Sequence, residues 1–338
     1  MFKAAVIGAS GYSGEELLRI LSKHPECAVT TVTSRKHAGK HIGEIFPRFR
    51  ALDLHFSQPD VDAIAESADI AFLALPHGLA AEYARPLRES GVKIIDISAD
   101  FRLKDTDIYE RYYKTAHPAP ELLPDAVYGL PELHRDALRT ASLVACPGCY
   151  PTSVILPLVP LLRAGVAATS DIIVASASGV TGAGRKVAEM YIYPERAESF
   201  MAYAPTGHRH IPEIEAELAD AAGEKVTITF VPHLVPMRRG INSTIFLEPG
   251  PKFAKGAVNE TLLAAYADEP FVQVLPCGST AETKHVESTN TCEIGHAFDE
   301  HSGKIIVTSA IDNLTKGAAG QAAQCANIIS GIDETTGL

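Results

Sequence analysis

Lys3-Ala4-Ala5-Val6-Ile7 is a short apolar strand that runs directly into Gly8-Ala9-Ser10-Gly11-Tyr12-Ser13-Gly14. A helical pattern follows, with Leu17, Leu18 and Leu21 on one face. Strand, glycine turn and helix in that order constrain the first part of the chain more than any other feature. The glycines let the backbone approach a pyrophosphate, which then rests on the N-terminus of the helix. The spacing is G-x-x-G-x-x-G rather than G-x-G-x-x-G, so the context carries the reading rather than the motif. Gly8, Ser10, Gly11, Tyr12, Ser13 and Gly14 are the first candidate contacts to a dinucleotide.

The same rhythm continues. Residues 70–75 form an apolar strand ending at Pro76-His77-Gly78, and residues 79–90 a helix. Residues 93–97 form another strand, followed by Ser98-Ala99-Asp100-Phe101-Arg102. This βαβα alternation predicts a Rossmann-like, doubly wound parallel sheet. Ligands of such sheets bind beyond the carboxyl ends of the strands, where His77, Ser98 and Arg102 fall. Strand two, residues 28–33, leads into Ser34-Arg35-Lys36. An NAD site usually has Asp or Glu there for the ribose 2′-OH. A hydroxyl and two cations suit a 2′-phosphate instead, so the expected cofactor is NADP; the alternative is a solvated basic turn.

The second part has a different texture. Residues 171–176, 225–231, 242–247, 271–275, 291–298 and 304–310 read as strands, several joined by long connections. An α+β domain with a mostly antiparallel sheet is expected. Residues 314–330 are alanine-rich and read as one helix, whose Gly317-to-Gly320 run allows close backbone approach to the cofactor or the first domain. The expected division is 1–148 as the NADP-binding domain and 149–313 as a catalytic and oligomerisation domain, with 314–338 packing back on the first. Net charge is −11, so no basic field attracts nucleic acid. No apolar run has transmembrane length and no signal peptide is evident. Six scattered cysteines are not a disulfide framework, and a reducing cytoplasm is the expected location.

One of those cysteines stands out. Cys149 lies in Ala145-Cys146-Pro147-Gly148-Cys149-Tyr150-Pro151-Thr152, between a strand at residues 143–145 and a helix expected to begin near Pro151. Unpaired N–H groups and the positive end of the helix dipole favour thiolate, the nucleophilic form. The plainer reading is a buried structural cysteine. Cys146-x-x-Cys149 as a thioredoxin-like or metal pair lacks the required context.

A thiolate attacking a carbonyl needs a proton-transfer partner. Gly207-His208-Arg209-His210-Ile211-Pro212-Glu213 offers two, with Pro212 and Glu213 marking a helix start. His210 lies nearer the dipole, which keeps a ring neutral, so it is favoured over His208. Two surface histidines capping a loop are the bland alternative. A metal needs a third ligand that the spacing does not supply, so none is expected. Ser178-Gly179-Val180-Thr181-Gly182-Ala183-Gly184-Arg185-Lys186 resembles an anion-binding turn, and Arg238 and Arg239 follow an apolar strand. Either run alone could be a solvated loop; together they suggest a small, doubly anionic substrate. The expected cofactor contacts are completed by Pro76, His77, Ser178, Gly179 and Asn313.

These runs, together with Pro232-His233-Leu234-Val235-Pro236-Met237, resemble the N-acetyl-γ-glutamyl-phosphate reductases of the longer, type 1 form. The resemblance spans residues 3–330, and Pro147-Gly148-Cys149-Tyr150-Pro151-Thr152 is its most specific part. Members often carry Asn where this chain has Cys146. The resemblance implies NADPH-dependent reduction of an acyl phosphate through a Cys149 thioester, as a step of arginine biosynthesis. Backbone N–H groups would hold the oxyanion and a histidine would move the proton. Arg102, Arg185 and Arg238 become candidates for the substrate phosphate and carboxylate. A homodimer or homotetramer is implied. Rival readings are an aspartate-semialdehyde-dehydrogenase-like enzyme and a catalytically silent NADP-binding redox sensor.

Overall fold

The computed structural model describes residues 1–185 and 187–338; the Lys186 end of the expected anion-binding turn lies outside the described residues. The chain divides into two units, Met1–Pro147 with Ala318–Leu338, and Gly148–Gly317.

The first unit is built on seven strands, β1 (Phe2–Ile7), β2 (Cys27–Thr33), β3 (Phe56–Ser57), β4 (Ile70–Leu73), β5 (Lys93–Asp96), β6 (Val127–Tyr128) and β7 (Leu143–Ala145). They lie in the order β3-β2-β1-β4-β5-β7-β6, and every pairing is parallel. The order reverses between β1 and β4, the position at which an open parallel sheet leaves a crevice at its carboxyl edge. β1 and β4 are buried on both faces, as near-continuous apolar strands of a parallel sheet must be. The helix Gly320–Ile329 belongs to this unit: Ala319, Ala322, Ala323 and Ala326 join β1 residues Ala4 and Val6 in one core.

The second unit carries β8 (Ile172–Gly179), β9 (Met201–Ala202), β10 (Ile228–Val235), β11 (Ile241–Leu247), β12 (Val272–Val274), β13 (Cys292–Asp299) and β14 (Lys304–Ile311). Their order is β12-β13-β14-β11-β8-β10-β9. Four of the six pairings are antiparallel, but β8–β10 and β12–β13 are parallel, so the sheet is mixed. Parallel neighbours need a crossover, and the helix Ile211–Ala222 lies on the connection from β8 to β10.

The strands expected at 171–176 and 225–231 run on as β8 and β10, and two helices differ from expectation. The helix expected near Pro151 begins at Cys149 itself and runs to Arg163, with Gly148 as its N-cap. Val154, Ile155, Leu156, Leu158 and Leu161 on it are fully buried. At about 1.5–3 kcal/mol per buried side chain, this helix is a firmly anchored mount for Cys149 at its head. The single helix expected over residues 314–330 is instead a π-helical turn, Thr315–Ala319, followed by Gly320–Ile329. Its Lys316 is fully buried, with the ammonium 5.4 Å from the centre of the Phe271 ring. The wider turn accommodates that long side chain inside the protein, and π-turns occur often at functional sites.

Candidate active site

In the first unit the glycine turn is shaped by contact. Gly8 has φ +85°, and a Cβ there would lie 2.4 Å from the Ala74 carbonyl oxygen. A Cβ on Gly14 would lie 2.7 Å from both Ala9 Cα and the Gly8 oxygen. Gly11 is the N-cap of the helix Tyr12–Leu21 and supplies no side-chain cap. The first-turn N–H groups at Tyr12, Ser13 and Gly14 are therefore oriented for an anion at the carboxyl edge of β1. The Ser10 and Ser34 hydroxyls are 2.9 Å apart, joining the glycine turn to the end of β2. Arg35 and Lys36 are exposed beyond them, and the Arg35 Nη2 donates to the Tyr83 hydroxyl at 2.9 Å. Pro76 and His77 are exposed after β4, with the His77 ring 5.6 Å from that of Tyr113. These residues fit a dinucleotide: a phosphate cradle that side chains would fill, with a hydroxyl and two cations at the neighbouring strand end.

Arg102 sits at the carboxyl end of β5. Its Nε donates to the Cys146 carbonyl at 2.8 Å and its Nη2 to the Ile97 carbonyl at 3.1 Å. Those contacts join the ends of β5 and β7. Cys146 itself is fully buried, and its amide donates to the Asp96 carbonyl.

In the second unit Cys149 is the first helical residue and is partly exposed. The Gly148 amide donates to Glu213 Oε1 at 2.8 Å, and Glu213 is buried. Pro151 has no N–H, so the Cys149 and Tyr150 amides are the remaining donors of this first turn. The His210 ring lies directly against Gly148: a Cβ there would be 2.5 Å from His210 Nε2. Any side chain at position 148 would displace that ring. On the other side, a Cβ on Gly317 would lie 2.7 Å from Cys149 Cβ. The close approach anticipated for the 317–320 glycines is thus made, at Gly317, to the cysteine. Gly317→Ala is expected to push the Cys149 side chain out of place and lower kcat about 10- to 100-fold. Its thermal unfolding and steady-state kinetics, measured together, separate that effect from misfolding.

His208 stands behind His210. The ring centroids are 4.8 Å apart, and the His210 amide donates to His208 Nδ1 at 3.2 Å. Tyr150, Tyr203 and Phe230 complete an aromatic box around His208. Burial, assisted by the charge of Arg209, pushes its pKa down from 6.5 to about 4. His210 is the N-cap of Ile211–Ala222, and the lowered pKa of His208 comes from burial. The Tyr150 and Tyr203 hydroxyls are 2.9 Å apart. Burial pushes Tyr150 strongly up and Tyr203 to about 12, so both stay protonated donors.

The His208 shift has a measurable consequence. A ring that resists protonation when folded but titrates near 6.5 when unfolded makes the unfolded state bind more protons between those values. Its contribution is intact above pH 6.5 and is lost as pH falls towards 4. Denaturant unfolding across pH 7 to 4 should show a shallower loss of stability for His208→Asn than for the unsubstituted chain.

The turn after β8 is clipped to the loop after β10. The Gly179 amide donates to the Gly240 carbonyl, Val180 to Met237 and Thr181 to Arg238. Asn313 ties the two together: its Oδ1 accepts from the Gly240 amide at 2.7 Å and its Nδ2 donates to Thr181 Oγ1 at 3.1 Å. Ser178 is buried beside Gly179. Of the two arginines after β10, Arg238 is exposed while Arg239 is buried in an ion pair with Asp312 at 2.6 Å. Arg185 is exposed on its turn. Among the described residues no group of three or more His, Cys, Asp or Glu is placed to hold a metal, and no helix is long and apolar enough to cross a membrane.

Residues 3–141 match the family model described as semialdehyde dehydrogenase, NAD binding domain, and residues 149–313 that described as semialdehyde dehydrogenase, dimerisation domain. The first unit is therefore a nicotinamide-cofactor-binding domain. The chain is 51% identical to an N-acetyl-gamma-glutamyl-phosphate reductase of Akkermansia muciniphila, over 99% of this chain and 98% of that one. It is 50% identical to one of Citrifermentans bemidjiense, over 100% and 98%. Among solved structures, aspartate semialdehyde dehydrogenase II of Vibrio cholerae, complexed with ASA, superposes with a TM-score of 0.74 at 18% identity, covering 98% of each chain. The Candida albicans aspartate semialdehyde dehydrogenase with NADP gives 0.73 at 16%, covering 98% of this chain and 99% of that one. These structures share the fold. The sequence relationship, with the cysteine at the head of its helix and two histidines packed beside it, makes the chain a member of the semialdehyde dehydrogenase family and, within it, of the N-acetyl-gamma-glutamyl-phosphate reductases.

Proposed function

We propose that this chain reduces N-acetyl-γ-glutamyl phosphate to N-acetylglutamate 5-semialdehyde and phosphate, with NADPH as reductant, as a step of arginine biosynthesis. The observation that carries the reading is Cys149 at the first position of a buried helix, with His210 against Gly148, in a chain half identical to reductases of that name.

The Cys149 thiolate attacks the acyl carbon; the C–S bond forms, the C–O bond to phosphorus breaks, and phosphate leaves with the bonding pair. The Cys149 and Tyr150 amides, at the positive end of the helix, stabilise the oxygen of the tetrahedral states. NADPH, when bound, supplies the hydride that takes the thioester carbon to the aldehyde level. His210 takes the proton from the Cys149 thiol at the start and protonates departing groups later. His208 holds His210 from behind through the 3.2 Å amide contact. Glu213, fixed on the Gly148 amide, holds the turn that presents Cys149. Arg102, Arg185 and Arg238 remain the candidates for the anionic ends of the substrate. Arg35, Ser34 and Lys36 support NADP over NAD, since no carboxylate ends β2. A homodimer or homotetramer assembled through residues 149–313, in the cytoplasm, completes the proposal.

The test is the reverse reaction: N-acetylglutamate semialdehyde, phosphate and NADP, against aspartate semialdehyde under the same conditions. Phosphate-dependent NADPH formation from the acetylated substrate alone is expected; preference for aspartate semialdehyde overturns the assignment. For the cofactor, Arg35→Ala should weaken NADP roughly 10- to 100-fold and NAD much less, as expected for loss of a charge-assisted contact. Equal losses for the two cofactors would mean that the 2′-phosphate is read elsewhere.

A further inference from the structure

The end of β2 carries no carboxylate, but a carboxylate reaches it from another element. Arg35 Nη2 lies 3.4 Å from Glu82 Oε2 and 2.9 Å from the Tyr83 hydroxyl. Both partners come from the first turn of the helix Ala80–Glu89, which follows β4. They differ in kind. Tyr83 is 7% exposed, so its ring is fixed in the core while its hydroxyl reaches the guanidinium. Glu82 is a surface side chain, about half exposed, as is Arg35. A hydroxyl on a rigid ring can orient the guanidinium and remain in place when a dianion arrives. A carboxylate on the same nitrogen must compete with that dianion for it, and repels it besides.

We propose that Glu82 and Tyr83 form a second tier of cofactor selection acting on Arg35: Tyr83 presents the guanidinium to a 2′-phosphate, and Glu82 opposes that phosphate. The carboxylate that an NAD-type site places at the end of β2 is here supplied from the helix after β4. There it limits the margin by which the chain favours the phosphorylated cofactor. This rests on the reading of Arg35 as the 2′-phosphate contact. Glu82 and Tyr83 are positioning residues here, since each acts on the cofactor through Arg35 or through its charge.

The experiment is calorimetric titration of the full-length chain with NADP and NAD, for Glu82→Gln, Tyr83→Phe, Arg35→Ala and the Arg35→Ala/Tyr83→Phe pair. Glu82→Gln should tighten NADP roughly 2- to 5-fold at low salt, the scale of an exposed charge pair, and leave NAD within twofold. The gain should shrink as salt is raised. Tyr83→Phe should weaken NADP by a similar factor, again sparing NAD. In the Arg35→Ala background Tyr83→Phe should have no further effect, which a role confined to core packing would not produce. If Arg35→Ala is selective for NADP but Glu82→Gln leaves NADP unchanged or weaker, the tier is overturned while the Arg35 reading stands. If Arg35→Ala is not selective, both fall.

Discussion

Cys149→Ser is expected to lose phosphate-dependent turnover by three or more orders of magnitude, roughly the scale seen when a covalent nucleophile is removed, while binding NADP as before. A serine hydroxyl at this place keeps the volume and the helix geometry but not the acidity. The helix end and the two first-turn amides can favour a thiolate, whose ordinary pKa is near 8.5; an alkoxide lies far beyond their reach. Fold and cofactor binding should survive because the helix is held by its apolar side chains and by Gly148–Glu213, neither of which involves sulfur. Burial pushes the Cys27 thiol up to about 12, the behaviour of an inert cysteine. Cys146→Ser should be mild, since its contacts that matter are made by its backbone, to Arg102 and Asp96. Mixing enzyme with acyl phosphate and trapping the thioester by mass spectrometry gives a direct check. Full turnover in Cys149→Ser, or an equal loss in Cys146→Ser, defeats the single-nucleophile mechanism.

The parts of this architecture that could be read from sequence are those encoded within a few residues. The glycine turn after β1 is one, because strand, turn and helix are contiguous and Gly14 packs on Ala9 and Gly8 of the same turn. The cysteine between β7 and its helix is another. What escaped depends on partners far along the chain. Nothing near Gly148 announces that its amide meets Glu213, 65 residues later. Arg238 and Arg239 are chemically equivalent as letters; only Asp312, at the far end of β14, decides which one is drawn inside. The parallel β8–β10 pairing is also non-local: Pro212 and Glu213 mark the start of the helix Ile211–Ala222, but only the pairing of the strands makes it a crossover. The π-turn lies among good helix formers, and the burial of Lys316 that accompanies it is a tertiary fact. Gly317 lay between these extremes: its smallness was legible, its neighbour was not.

His210→Asn should cost turnover about 10²- to 10⁴-fold, the usual effect of losing an acid–base group, and clearly more than His208→Asn. Position and protonation both point this way. His210 Nε2 is the atom packed on Gly148, one residue from Cys149, whereas His208 is boxed by Tyr150, Tyr203 and Phe230. An acid–base group works best with a pKa near the operating pH. With its pKa held near 4, His208 is neutral across that range and has little tendency to take a proton. Its Nδ1 already accepts the His210 amide, so the ring proton sits on Nε2 and the ring acts as a prop. His208→Asn should therefore lower turnover by a smaller factor, through loosened placement of His210. Its pH–rate profile should keep the shape of the unsubstituted enzyme's. His210→Asn should flatten the limb that reports the base. Steady-state kinetics from pH 6 to 9 on both variants decide the matter. A larger fall for His208→Asn, with loss of that limb, would move the proton transfer to His208 and make His210 the prop.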